Sequence, residues 1–189
     1  MELLAIVFVM VLMGQALAVD IIVENPPRDI VEGEFSFIPH TDGKFYRVHT
    51  ASALTEPFPY FELKFGVFFR LNTLANPTEP QDISALDVDS LNNSHFNASR
   101  PTRINIHGWN SHGTLGPIIS GAYLLKGKHD INCIEVNWQA GSDTINYIAA
   151  RQRVPDVGQF VAQFIDFLAV NAGLNLDDVH IVGHSLGAQ

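Results

Sequence analysis

The sequence predicts an α/β protein with a mostly parallel sheet flanked by helices. Short segments rich in β-branched and apolar residues alternate with helical ones between residues 102 and 183. In the longest helical segment, Val157, Phe160, Val161, Phe164 and Leu168 fall on one face. Strand, helix, strand, helix, strand in that order reads as a parallel crossover sheet.

Composition supports a packed core. Of 189 residues, 47% are apolar and 16% charged, which excludes a disordered chain. The length suits one domain or part of a larger one. Eleven Lys and Arg against 20 Asp and Glu give a net charge of −9. With no basic cluster, a nucleic-acid partner is excluded, and electrostatic docking on anionic lipid is disfavoured.

Taken in order, the chain opens on an apolar run, Leu3 to Met13. The run is too short to span a bilayer and fits the core of a secretory leader. Ala16-Leu17-Ala18 supplies a small-x-small cleavage pattern, so residues 1–18 are expected to be a signal peptide and the protein to be secreted, with no transmembrane segment. Glu2 stands where a positive charge is usual. Residues 19–65 are broken by Asn25-Pro26-Pro27, Pro57 and Pro59 and read as a meander of short strands and loops.

A domain is expected from residue 66. Gly66 to Asn72 reads as a strand closed by Asn76-Pro77. Residues 75–101 are polar and loop-like. They hold two Asn-x-Ser sequons, at Asn92 and Asn97, which are candidate glycosylation sites in a secreted chain. Thr102 to His107 alternates polar and apolar residues and reads as a strand. Gly113 to Lys126 reads as a helix, Ile131 to Trp138 as a strand, and Ala140 to Asp143 as a loop. The helical region that follows runs to Ala172. Its best-defined part starts at Pro155, a favoured first-turn residue, and Gly173 is placed as its cap. Asp178 to Gly183 is a short strand. Cys133 is the only cysteine; in an oxidising compartment it is either buried and inert, or its partner lies outside this chain.

The last strand runs into Gly183-His184-Ser185-Leu186-Gly187, a G-x-S-x-G pattern in the strand-to-helix setting that a nucleophile elbow requires. A serine hydroxyl is a poor nucleophile until a base takes its proton. It must therefore project from a sharp turn, and glycines on either side remove side chains that would collide with neighbouring backbone. The N–H of Leu186 then faces the reacting carbonyl. A second oxyanion donor comes from an earlier strand-to-helix loop. Here that loop is His107-Gly108-Trp109-Asn110, which makes the N–H of Trp109 the second donor. No metal or other cofactor is required by this chemistry.

Four segments carry a resemblance: VFFRLNTLANP at 67–77, RINIHGW at 103–109, INCIEVNWQAGS at 131–142 and VHIVGHSLGAQ at 179–189. Together they resemble the animal pancreatic-type (neutral) lipase family, including its insect members, over most of the chain from residue 66. The resemblance implies an α/β-hydrolase domain that hydrolyses carboxylic esters of lipids at a lipid–water interface, as a triacylglycerol lipase or a phospholipase A1. It assigns the nucleophile to Ser185 and the oxyanion donors to Trp109 and Leu186. Yolk proteins of some insects share the family but lack the serine, so its presence here favours an enzyme. A non-catalytic lipid-binding or storage protein is the alternative.

In this fold the triad acid and histidine follow the serine in the chain. Neither follows Ser185, and none of the eight histidines is assigned as the base. His180 is expected to be packed within its strand. The expected picture is the N-terminal part of a hydrolase domain, truncated just after the elbow and inactive by itself.

Overall fold

A computed structural model describes residues 19–22, 35–39, 44–49, 61–111, 114–144 and 147–189. The expected leader, residues 1–18, lies outside the described residues. The chain forms two compact units, residues 1–58 with 145–149, and residues 59–144 with 150–189.

In the first unit, β1 (Val19–Ile22), β2 (Phe35–Pro39) and β3 (Phe45–His49) form an antiparallel sheet in the order β1-β3-β2.

The second unit holds the candidate site. Its elements are α1 (Leu63–Gly66), β4 (Phe68–Asn72), β5 (Gln81–Ile83), α2 (Val88–Asn92), β6 (Thr102–Ile106) and α3 (Leu115–Ser120). A wider π-type stretch (Gly121–Lys126) continues α3. Then come β7 (Asn132–Asn137), α4 (Gln139–Ser142), α5 (Tyr147–Ala172, of which residues 147–149 are counted with the first unit) and β8 (Val179–Gly183). The sheet order is β5-β4-β7-β6-β8. Strands β7, β6 and β8 are parallel, as the alternation of strands and helices requires, while β4 and β5 join antiparallel.

Both sheet faces are covered at the centre. All six residues of β7 are buried, which suits a strand hydrogen-bonded on both sides with helices above and below. On one face Phe69 of β4 stacks on Phe164 of α5, with ring centroids 3.7 Å apart. Val157, Val161, Phe164 and Leu168 are buried along the same helix face, and Phe160 is half-buried. On the other face Leu124, Ile131 and Cys133 form a cluster with Ile119 and Tyr123.

Several expectations are corrected. Pro155 lies inside α5 rather than in its first turn. Its missing N–H would have bonded the carbonyl of Arg151, and both residues are exposed. An interior proline costs less on the exposed side of a helix, where water can reach the carbonyl it leaves unpaired. Residues 75–101 hold β5 and α2 as well as loops. Asp87 caps α2 by accepting from the N–H groups of Asp89 (3.0 Å) and Ser90 (3.1 Å). Of residues 140–143, expected to be loop, 140–142 belong to the single turn α4. At the end of α5, Gly173 donates to Ala169 O and Leu174 to Leu168 O, with Gly173 at φ 74°. The bond from Gly173, at positive φ, back to Ala169 is the αL motif that closes the helix.

Candidate active site

Strand β8 ends at Gly183, and one residue later the chain turns sharply. Ser185 sits at φ 55°, in the left-handed region that a residue with a Cβ rarely enters. A short 3₁₀ turn, Ser185–Ala188, follows. The turn is tied to β6, since the N–H of His184 donates to Ile106 O at 3.0 Å, and Gly187 N–H donates to His184 O at 2.9 Å. A Cβ on Gly187 would strike the carbonyl oxygen of Ile106 and lie 2.6 Å from that of His107. A Cβ on Gly183 would lie 2.6 Å from the Cα of Ala188. Backbone crowding on both sides is what forces this spacing of glycines.

The loop after β6 meets this turn directly. A Cβ on Gly108 would lie 2.6 Å from Ser185 Cβ and 2.7 Å from His184 O. The tertiary fold thus brings the His107-Gly108-Trp109 turn against the serine turn. Ser185 is half-buried, and Leu186 and Trp109 are buried.

The segment after β7 holds that loop. Trp138 N–H donates to His107 Nε2 at 3.1 Å, and the Trp138 indole N–H donates to His107 O at 2.7 Å. Asn110 N–H reaches Ser142 O at 3.3 Å, and the Trp109 indole N–H donates to Thr144 O at 2.6 Å. Arg153 of α5 bonds Gly141 O through Nη1 at 2.6 Å. The sequence reading found the two turns but missed this strap. Its only signal was the tryptophan closing the Ile131–Trp138 strand, ahead of a glycine.

His107 is wholly buried, and burial is the main reason its pKa lies below the ordinary histidine value. The hydrogen bond to Gly108 and the charge of Asp143 oppose that shift, whereas Arg70 and His184 add to it. His107 Nδ1 lies 2.9 Å from Gly108 O. With both ring nitrogens engaged, His107 is not placed to act as a base. His180, expected to be packed, is exposed among the described residues.

Asn92 closes α2 and Asn97 lies in the following loop, and both are exposed. Asn97 Oδ1 accepts from Ser99 N (3.0 Å) and Ser99 Oγ (2.7 Å). Cys133 is buried, and burial pushes its thiol up to about 12. Among the described residues no three His, Cys, Asp or Glu side chains gather to hold a metal ion, and no described helix is long and apolar enough to cross a membrane.

A parallel crossover sheet in which a strand feeds a strained serine turn marks the α/β-hydrolase fold. Residues 45–189 match the family model described as Lipase, and the chain belongs to that family. It is 38% identical over 130 residues to human pancreatic lipase-related protein 3, covering 69% of this chain and 27% of that protein. It is 38% identical over 120 residues to human pancreatic triacylglycerol lipase, covering 64% and 25%. It is 36% identical over 130 residues to mouse inactive pancreatic lipase-related protein 1, covering 69% and 27%. The chain spans about a quarter of the length of the curated relatives it matches.

Proposed function

We propose that the protein is a secreted carboxylic-ester hydrolase acting on lipids through an acyl–enzyme formed on Ser185. The observation that carries this reading is the strained serine at φ 55° with Gly108 against it. Ser185 Oγ attacks the ester carbonyl, and the negative charge on the tetrahedral oxygen is received by the N–H groups of Trp109 and Leu186. The alcohol leaves, and water hydrolyses the acyl–Ser185 ester. A base and an acid are required. We assign both to chain beyond the elbow, since His107 is engaged elsewhere and the triad order places them after the serine. The pancreatic triacylglycerol lipases among the relatives support a triacylglycerol substrate, and a phospholipid ester cleaved at its first acyl position remains within the same chemistry. Secretion through residues 1–18 and glycans at Asn92 and Asn97 belong to the same reading.

The test is labelling of the complete protein with a fluorophosphonate, together with hydrolysis of triacylglycerol and phospholipid emulsions. Labelling and turnover that both vanish in Ser185→Ala support the proposal. A complete protein that neither labels nor turns over either lipid rejects it.

One observation favours a second reading, a non-catalytic lipid-binding or storage protein: a relative at 36% identity is named inactive. Lipid binding without turnover, unchanged in Ser185→Ala, is the outcome that selects it.

A further inference from the structure

We propose that His107 is a positioning residue: locked by Trp138 into its Nδ1-protonated neutral form, its ring clamps the Gly108 carbonyl and thereby aims the Trp109 amide. The inference rests on the hydrolase reading for its consequence, though not for its geometry.

The tautomer follows from the partners. A backbone N–H can only donate, so the Trp138 N–H requires a lone pair on His107 Nε2, 3.1 Å away. The remaining ring proton is then on Nδ1, which donates to Gly108 O at 2.9 Å. The Trp138 indole N–H holds the His107 carbonyl at 2.7 Å, and the two rings stack with centroids 5.8 Å apart. Ring and backbone of His107 are thus fixed by a single residue, Trp138, just after the neighbouring strand.

The consequence lies in the next peptide. The Gly108 carbonyl and the Trp109 N–H belong to one planar trans unit and point to opposite sides of it. A ring that holds the carbonyl also holds the direction of the amide hydrogen. Gly108 is the residue packed against Ser185, so a rotation of this peptide would be felt at the nucleophile. The Asn110 and Trp109 indole bonds to Ser142 and Thr144 anchor the far side of the turn.

Protonation would undo the arrangement. An imidazolium has no lone pair on Nε2, so two N–H groups would face each other across 3.1 Å at a buried residue. The charged and titratable groups that act on the ring are Asp143, which favours the cation, and Arg70 and His184, which oppose it. Burial outweighs Asp143 and keeps the ring neutral.

The test has two arms, both on the complete protein. In the first, ¹⁵N shifts of the histidine rings at neutral pH are expected to show a protonated Nδ1 and a bare Nε2 for His107. An imidazolium or the opposite tautomer overturns the proposal. In the second, His107→Ala and His107→Asn are compared. Both lose the acceptor for Trp138, but the asparagine amide lies where Nδ1 lay and can still donate to Gly108 O. For a short-chain ester, kcat is expected to fall by about tenfold or more in His107→Ala with KM unchanged, part of the loss seen when an oxyanion donor is removed. His107→Asn is expected to recover most of it. Equal loss in the two variants, in step with their melting temperatures, makes the residue merely structural and overturns the proposal. A wild-type protein with no Ser185-dependent turnover rejects the hydrolase reading alone. In that case the ring shifts, and a crystal structure of His107→Ala with the Gly108–Trp109 peptide rotated or unmoved, decide the role of His107.

Discussion

Ser185 holds a backbone conformation that costs on the order of 1–3 kcal/mol for a residue with a Cβ. The surroundings maintain it through the His184 and Gly187 hydrogen bonds and the close approach of Gly187 to β6. Gly187→Ala should therefore push the turn off β6, since the new methyl meets two backbone carbonyls that cannot rotate aside. We expect a loss of about 1–3 kcal/mol in denaturant unfolding and loss of fluorophosphonate labelling even where the protein remains folded. Cys133 makes the opposite case, a reactive residue type silenced by its environment. Its thiol is pushed up to about 12 and lies in a core cluster, so the thiolate that reacts with disulfide reagents is essentially absent at neutral pH. Native protein is expected to give no reaction with an aromatic disulfide reagent and one equivalent after denaturation. Rapid reaction of the native protein would show the cluster to be open.

Among the elements, α5 contributes most visibly to the core, through Phe164 against Phe69 and through Val157, Val161 and Leu168. Phe164→Ala removes a fully buried ring and leaves a cavity against β4. The expected loss is about 3–5 kcal/mol, read by chemical denaturation. Asp87→Ala removes the cap of a one-turn helix at the surface and should cost only about 1 kcal/mol. The apolar periodicity of α5 was legible because a helix against a sheet buries one stripe. The place of Pro155 within α5 was not, because proline is a good first-turn residue and its tolerance inside a helix depends on which way the bereft carbonyl faces. Asp87 and the two amides it caps stand in a polar stretch whose side chains have no periodicity, so β5 and α2 were hidden there. Polar and apolar residues alternate in Thr102 to His107, which marked the strand without showing where its polar groups go. In fact Thr102 and Asn105 are buried, since β6 lies between β7 and β8 with polar groups turned into the protein.

Across the molecule, the sheet carries a polar row on the face where α3 packs. Arg70, Glu135 and Asn105 occupy directly paired positions on β4, β7 and β6, and Asp82 on β5 pairs with Arg70. Glu135 and Asn105 are buried, and Glu135 Oε1 and Asn105 Oδ1 find no hydrogen-bond partner among the described residues. Burial raises the Glu135 pKa despite the opposing pull of Arg70, and Asp82 raises it further. The sign of the linkage follows. The unfolded chain releases this proton near the ordinary glutamate value of about 4.3, while the folded chain retains it to higher pH. Glu135 therefore costs stability as pH rises from about 4.3 towards its folded pKa. Glu135→Gln keeps the shape without the proton, so its stability relative to wild type should grow over that pH range in urea titrations. A difference that is flat with pH would show that Glu135 titrates normally. His107 acts in the other direction: its lowered pKa means the unfolded chain takes up a proton first as pH falls below about 6.5, and stability declines there.

The sequence by itself determined the α/β alternation, the apolar face of α5 and the two turns that meet at Ser185. Each of these is local, arising from side-chain periodicity or from the backbone freedom of glycine within a few residues. Only the tertiary structure decided that Gly108 touches Ser185, that Trp138 sets the tautomer of His107 and that Glu135 is buried beside Arg70. Those facts depend on strand order and on which residues are paired across the sheet. Residues distant in the chain come within hydrogen-bonding reach only after β6, β7 and β8 lie side by side.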